Sequence, residues 1–347
     1  MFSALPLEDA CRYAGAGKTM TKKICWILTE GMAGTENQCL GLAEALGLDP
    51  EIKRLRPRWP WRWLPVGLWL APLVAQNPTA SSLAPPWPDV LISAGRKSVP
   101  VALAIKKKSG ARVFAVHLLN PYVAPVRFDL VATPRHDGLE GDNVIVTEGA
   151  LTRITKARLD DALDAHGGRL AALPRPRLAV LLGGASKHFK FTERAAGELA
   201  LLLRAMVTET GGSLMITVSR RTGADVVARL RAGLEGVPME IWEGEGANPY
   251  FAYLAAADAI VVTNDSVSMA CEAATTGKPL YVFALEGTSK KFDAFHENLC
   301  ARGIARPFDG SFEKWTYEPL MDTERVAQAV RKRLGERMDE PTGERQK

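Results

Sequence analysis

The chain has 347 residues, of which 47% are hydrophobic and 24% charged, enough for two domains of ordinary size, each with its own core. A net charge of +5 is too mild for a dedicated nucleic-acid binder and is compatible with an anionic small ligand or a membrane surface. Five scattered cysteines, Cys11, Cys25, Cys39, Cys271 and Cys300, form no CxxC pair, which fits reduced thiols in a cytosolic protein and argues against a structural disulfide or zinc site.

In chain order, the first 19 residues lack a basic start followed by an apolar core, so no signal peptide is expected, and residues 1–20 read as a disordered extension. Gly15-Ala16-Gly17-Lys18-Thr19 resembles the end of a P-loop. Arg12 stands where its first glycine belongs and no strand precedes it, so the match reads as chance. Residues 24–28 predict the first strand of an N-terminal domain over 21–165, and the turn TEGMAGTENQ leads from it into a small-residue helix through Leu46. The glycines of that turn let backbone approach a ligand closely, but the pattern is not GxGxxG and implies no nicotinamide dinucleotide. Glu36, Asn37 and Gln38 sit at the helix start, either facing a ligand above the sheet or simply capping the helix.

The next stretch is basic, rich in tryptophan and broken by Pro60, Pro65 and Pro72. Five of the eight tryptophans fall between Trp59 and Trp87, too concentrated for ordinary core packing. The prolines and the short apolar length exclude a membrane span. Trp59, Trp61 and Trp63 with Arg58 and Arg62 suit an anionic headgroup boundary or a lipid-linked acceptor; a partner-protein surface and a loop folded back as core are the alternatives.

Residues 89–92, 113–116, 128–131 and 143–147 predict further strands, and an apolar helix ends near Lys106-Lys107-Lys108, so the first half reads as an alternating β/α sheet. His117 and His136 read as ordinary hydrogen-bonded histidines. A polar helix is expected over 151–165, followed by a Gly-, Pro- and Arg-rich linker at 166–177.

The pattern restarts in a second domain over 178–338, before a polar tail at 339–347. Strand 178–182 runs into Gly183-Gly184-Ala185-Ser186-Lys187 and a helix over 192–210; strand 214–218 ends in Ser219-Arg220-Arg221-Thr222; strand 239–242 leads to Asn248-Pro249-Tyr250. Residues 257–283 are the most readable. Ile260-Val261-Val262 reads as a strand buried on both faces, and a helix begins at Ser266 with Asp265 as its cap and Gly277 and Pro279 as its stop. Ser268, Glu272 and Thr275 or Thr276 form its polar face, opposite Val267, Cys271 and Ala274. At the carboxyl ends of parallel strands, Asn264, Asp265, Ser266 and Ser268 would cradle a phosphate and Glu272 would accept hydrogen bonds from a ribose diol; the alternative is an ordinary capped helix with an exposed glutamate. Lys187 and Arg220 among glycines and hydroxyls suit a diphosphate.

Two Rossmann-like halves with glycine-rich first loops resemble the GT-B class of nucleotide-sugar glycosyltransferases, an α/β fold of two Rossmann-like domains facing across a cleft. Asp265-Ser266 and Glu272 followed by Gly277-Lys278-Pro279 resemble the donor-site segment of the lipid-linked N-acetylglucosaminyltransferase of peptidoglycan synthesis. That resemblance implies that the Ser/Thr stretch approaches the diphosphate and that the glutamate holds ribose. Over 22–334, through GMAGTENQCLGLAEALG, ISAGRKSVPVA, TPRHD, LLGGASKHFKF, TVSRRTG and NPYFAYLAAADAIVVTNDSVSMACEAATTGKP, the chain is similar to the bacterial branch of the elongated-mitochondria (mitochondrial fission factor) family. Plant members are associated with recruiting a dynamin-type GTPase to mitochondria, and bacterial members resemble envelope glycosyltransferases. Where the peptidoglycan enzyme carries a histidine in its first glycine-rich loop this chain has Thr35-Glu36-Asn37, so the resemblance supplies no catalytic base.

The expectation is transfer of a sugar from a nucleoside-diphosphate sugar, held by the second domain, to a lipid-linked or envelope acceptor met by the first. The protein would be cytoplasmic and peripheral to the inner membrane. Gly183, Gly184, Ser186, Lys187, Ser219, Arg220 and Asn248 join the 264–268 turn in binding the nucleotide sugar, and Lys187, Ser219, Arg220 and that turn neutralise the departing diphosphate, so neither a metal nor another cofactor is needed. Glu36 is the first candidate general base and Asp137 the second. Two rivals share the fold: a non-catalytic peripheral membrane adaptor, and a nucleotide-sugar epimerase or hydrolase.

Overall fold

A computed structural model describes residues 23–339, apart from Pro60, Val66, Gly67, Leu70 and 78–80. The expected N-terminal extension, its P-loop-like match and most of the polar tail lie outside the described residues.

The first sheet joins β1 (Cys25–Thr29), β2 (Pro50–Arg54), β3 (Val90–Ala94), β4 (Phe114–Leu118), β5 (Leu130–Pro134) and β6 (Val144–Thr147) in the order β2-β1-β3-β4-β5-β6. All its pairings are parallel. Helices α1 (Ala33–Ala45) and α2 (Ser98–Lys108) follow β1 and β3. Strands β1, β3, β4 and β5 are buried along their whole length, which is why they read as continuous apolar runs. Strand β2 has no counterpart in the sequence reading: its PEIKR carries three charged residues, which an edge strand tolerates.

The chain then crosses to a second sheet through α3 (Lys156–Ala171), which packs on α6 (Tyr250–Ala256) of that lobe. The helix expected over 151–165 therefore starts later and belongs to the second core, where Leu159, Ala162 and Leu170 are packed. The second sheet has the order β10-β9-β7-β11-β12-β14, again all parallel. Its strands are β7 (Arg177–Leu182), β9 (Ser213–Val218), β10 (Met239–Trp242), β11 (Ala259–Thr263), β12 (Leu280–Phe283) and β14 (Ala305–Pro307). A short antiparallel pair, β8 (Phe189–Lys190) and β13 (Glu286–Gly287), sits beside it. Helices α4 (Glu193–Thr210), α5 (Ala224–Gly233), α7 (Val267–Thr275) and α8 (Lys290–Ala301) complete this lobe. Helix α4 matches the expected 192–210 helix: Thr192 accepts from Ala195 N at 3.2 Å, and Gly211, at φ +67°, ends it in the left-handed region.

The last helix, α9 (Asp322–Asp339), falls within the segment read as second domain, yet Val326, Ala327 and Val330 are buried in the first sheet's core beside Cys39, Leu42 and Ala43 of α1. Its amphipathic stripe fits the groove beside α1, and sequence order alone did not reveal that return. The two passages between lobes are tied together. Asp322 Oδ2 accepts from Glu148 N (2.9 Å) and Gly149 N (3.3 Å), and Thr152 N donates to Thr323 Oγ1 (2.8 Å).

Candidate functional site

Strands β7 and β11 are neighbours, so their carboxyl ends bring Gly183-Gly184 against the turn before α7. Thr263 Oγ1 accepts from Gly183 N at 2.8 Å and donates to Asp265 Oδ1 at 2.7 Å. Asp265 Oδ2 accepts from Gly184 N (3.0 Å) and pairs with Arg221 Nη2 (2.8 Å), and the carboxylate is fully buried. Ser219 Oγ donates to the Gly183 carbonyl at 2.9 Å, and the Thr222 hydroxyl donates to the same oxygen. The two glycines are required by this clamp: a Cβ on Gly183 would overlap the Asp265 carboxylate, and one on Gly184 would overlap the Arg221 carbonyl.

The expectation that Asp265 caps α7 is corrected here. Ser266 is the cap, its hydroxyl accepting from Met269 N at 3.4 Å, while Asp265 turns inward to the stronger N–H and guanidinium donors of the β7 and β9 loops. Asn264 is likewise engaged, with Oδ1 accepting from Leu285 N (2.9 Å) and its carbonyl against His296 Nε2 (2.9 Å). Ser186 Oγ accepts from His188 N and Phe189 N at 3.2 and 3.1 Å, fixing the loop that carries Lys187. Lys187 and Arg220 remain exposed on this rim, and neither makes an ion pair among the described residues. The framework residues thus hold the loops while the two cations and the first turn of α7 face outward, the arrangement an anion needs.

Glu272 lies one turn past Ser268 on α7. Tyr250 OH donates to its Oε2 at 2.5 Å. Burial pushes the Glu272 carboxyl up to about 7, against the opposing pull of the Tyr250 hydrogen bond and the charge of Arg153. Arg153 Nε is bound by Glu44 of α1 at 3.0 Å, and Arg158 Nη2 joins that carboxylate at 2.8 Å. Asn248 acts indirectly, its Oδ1 accepting from Tyr250 N at 3.0 Å.

The first lobe meets this rim at α1. A Cβ on Gly34 would lie 3.7 Å from Ser268 Oγ, so the first glycine-rich loop and the start of α7 face each other across the lobes. Glu36 accepts from Arg54 Nε (3.0 Å) and Nη2 (2.7 Å) and from Thr29 Oγ1 (3.2 Å). The Arg54 hydrogen bond holds this carboxyl below the usual range despite some burial, so Glu36 stays ionised and is a weak proton acceptor. Asp137 bridges the lobes, its Oδ1 pairing with Lys291 Nζ of α8 at 2.8 Å and its Oδ2 accepting from Thr133 Oγ1 at 3.2 Å. His117 is a core residue, with Nδ1 2.9 Å from Ser93 Oγ and a pKa pushed down to about 3 by burial. His136 is also lowered by burial. Among the described residues no group of His, Cys, Asp and Glu is arranged to hold a metal ion.

Sequence reasoning missed Arg54, Arg221 and Tyr250, whose partners are distant in the chain. The repeated Arg220-Arg221 pair was the available signal, since two adjacent arginines on a strand-end loop point different ways, one into the clamp and one to solvent.

The tryptophan-rich stretch is in part a loop folded back as core and in part exposed. Trp69 is buried and Trp61 is packed against the same first-lobe core, whereas Trp59 and Trp63 are 78% and 75% exposed and Arg58 is exposed beside them. Arg62 lies in the short 3₁₀ turn Trp61–Trp63, and its side chain lies outside the described residues. Among the described residues no helix is long and apolar enough to cross a membrane.

A sequence profile of the family described as Mitochondrial fission ELM1 matches residues 33–334. The chain is 31% identical to the mitochondrial fission protein ELM1 of Arabidopsis thaliana, over 90% of this chain and 91% of that protein. It is 26% identical to protein RP120 of Rickettsia prowazekii, over 88% of this chain and 97% of the relative. Among solved structures, the UDP-GlcNAc 2-epimerase of Methanocaldococcus jannaschii superposes with a TM-score of 0.56 at 12% identity, covering 89% of this chain and 99% of that one. The two parallel six-stranded sheets are those of the GT-B fold used by nucleotide-sugar enzymes.

Proposed function

The chain belongs to the mitochondrial fission ELM1 family, and from that premise and the rim geometry we propose that it is a GT-B enzyme for a nucleoside-diphosphate sugar. The second lobe would hold the donor, and the sugar would pass to a lipid-linked or envelope acceptor at the first lobe. One observation carries this reading. Asp265, Arg221 and Ser219 lock the loop backbones together, Lys187 and Arg220 are left exposed on that rim, and the α7 start faces Gly34 of the opposite lobe. In that place Lys187 and Arg220 would stabilise the charge of a departing diphosphate, Ser266 and Ser268 would order it at the helix start, and Glu272 would hold the ribose. Closure of the lobes would exclude water from the reacting centre.

Both candidate bases are engaged, Glu36 by an ion pair with Arg54 and Asp137 by one with Lys291. That pairing favours a second reading, a non-catalytic peripheral membrane adaptor on the same fold. Epimerisation or hydrolysis of the same donor are further chemistries that the fold permits.

A thermal-shift panel of UDP-, GDP-, ADP- and CMP-linked sugars tests the binding. A ligand at a hundred times its Kd adds about 2.7 kcal/mol of stability, a rise of a few degrees, and Glu272→Ala should lose most of it. Silence of the wild type toward every donor would leave the adaptor reading in place. Product analysis with the stabilising donor then separates transfer from epimerisation, hydrolysis and mere binding.

Trp59, Trp63 and Arg58 would seat the first lobe on an anionic membrane surface, placing the protein on the cytoplasmic face of the inner membrane. In flotation with vesicles containing anionic phospholipid the wild type should rise with the lipid, and the double variant Trp59→Ala, Trp63→Ala should stay at the bottom at least several-fold more. A wild type that ignores such vesicles refutes the contact.

A further inference from the structure

The Glu272 carboxyl has two inequivalent oxygens. Oε2 takes the Tyr250 hydroxyl at 2.5 Å, while Oε1 makes no hydrogen bond among the described residues. The tyrosine is itself fixed. It opens α6, its backbone N–H is held by Asn248 Oδ1 at 3.0 Å, and its ring stands edge-on to Phe251 with centroids 5.6 Å apart. Phe251 in turn lies under the Arg158 guanidinium at 5.2 Å. A hydroxyl so placed decides where the carboxyl points and which oxygen is left open.

Resting on the nucleotide-sugar reading above, we propose that Tyr250 is the positioning residue that aims Glu272 Oε1 at the ribose of the bound nucleoside. Ribose hydroxyls donate more strongly to an ionised carboxylate, which only accepts, than to a protonated carboxyl, which spends one oxygen as a donor. The groups facing Glu272 are Tyr250 from α6, Arg153 from the passage between lobes and the neutral Cys271 thiol of its own helix. Burial holds the carboxyl near 7, so ionising it for the ribose at lower pH releases a proton, and affinity rises with pH until it levels above 7. The Tyr250 hydroxyl pulls that value down, so removing it moves the midpoint to higher pH.

The test is calorimetric titration of the full chain with UDP and GDP, and with their 2′-deoxy counterparts, between pH 6 and pH 9. Glu272→Gln cannot titrate and reports the ligand's own protonation. Wild-type affinity should be about tenfold weaker at pH 6 than at pH 8, with proton release at the lower pH. Tyr250→Phe, checked for an unchanged melting transition, should move the midpoint upward, weaken binding at pH 7 by about tenfold and recover most of the loss at pH 9. Its discrimination against the 2′-deoxy probe should shrink as well. A wild type that binds a probe while Tyr250→Phe gives the same pH profile overturns the role of Tyr250 alone. A wild type that binds neither probe overturns the nucleotide-sugar reading, and this inference with it.

Discussion

Asp265→Ala should lower stability by about 3–4 kcal/mol and loosen three loops together. The carboxylate is fully buried, and its removal strands the Gly184 N–H and leaves Arg221 beside an empty space. Arg221 is partly exposed and can turn to water, which keeps the loss below that of a wholly buried pair. Asp265→Asn preserves the shape and one acceptor oxygen, so about half the loss is expected. Urea unfolding monitored by tryptophan fluorescence measures both. A change under about 1 kcal/mol for the alanine variant would mean that backbone pairing, and not this side chain, fixes the rim.

Gly41→Ala is the second large effect, and its sign is the informative part. Alanine is the better helix former by about 1 kcal/mol, so on an open helix face the change stabilises. At Gly41 a Cβ would overlap the Thr152 carbonyl in the passage between lobes, where neither the backbone of α1 nor that of 152–153 can give way cheaply. A net loss of about 2–3 kcal/mol is expected. Gly168→Ala in α3 supplies the control, because its Cβ would meet nothing within 4 Å and the same substitution there should stabilise by about 0.5–1 kcal/mol. Equal signs at the two positions would refute the close approach of α1 to the passage.

The sequence was most legible where local pattern and tertiary position agree. The apolar run of β11, the helix over 192–210 and the stop at Gly277 each follow from backbone rules that act within a few residues. The rim was legible as a set of loops, because parallel strands deliver their carboxyl ends to one edge. The work of individual side chains there was not. Whether an aspartate at a helix start caps, binds or turns inward depends on which donors face it, and those of Asp265 come from the β7 and β9 loops. Glu36 read as an available base because its partner Arg54 lies on β2, an edge strand whose charged sequence hides it. The position of α9 was likewise invisible, since an amphipathic stripe says that a face is buried but not against what.

That final helix sets an order of events during synthesis. The hydrophobic groove beside α1 is formed by residues made early, but Val326, Ala327 and Val330, which cover it, leave the ribosome only after the whole second sheet. The earliest-made half therefore waits with an uncovered seam while the later half folds, and it becomes the last part of the protein to be completed.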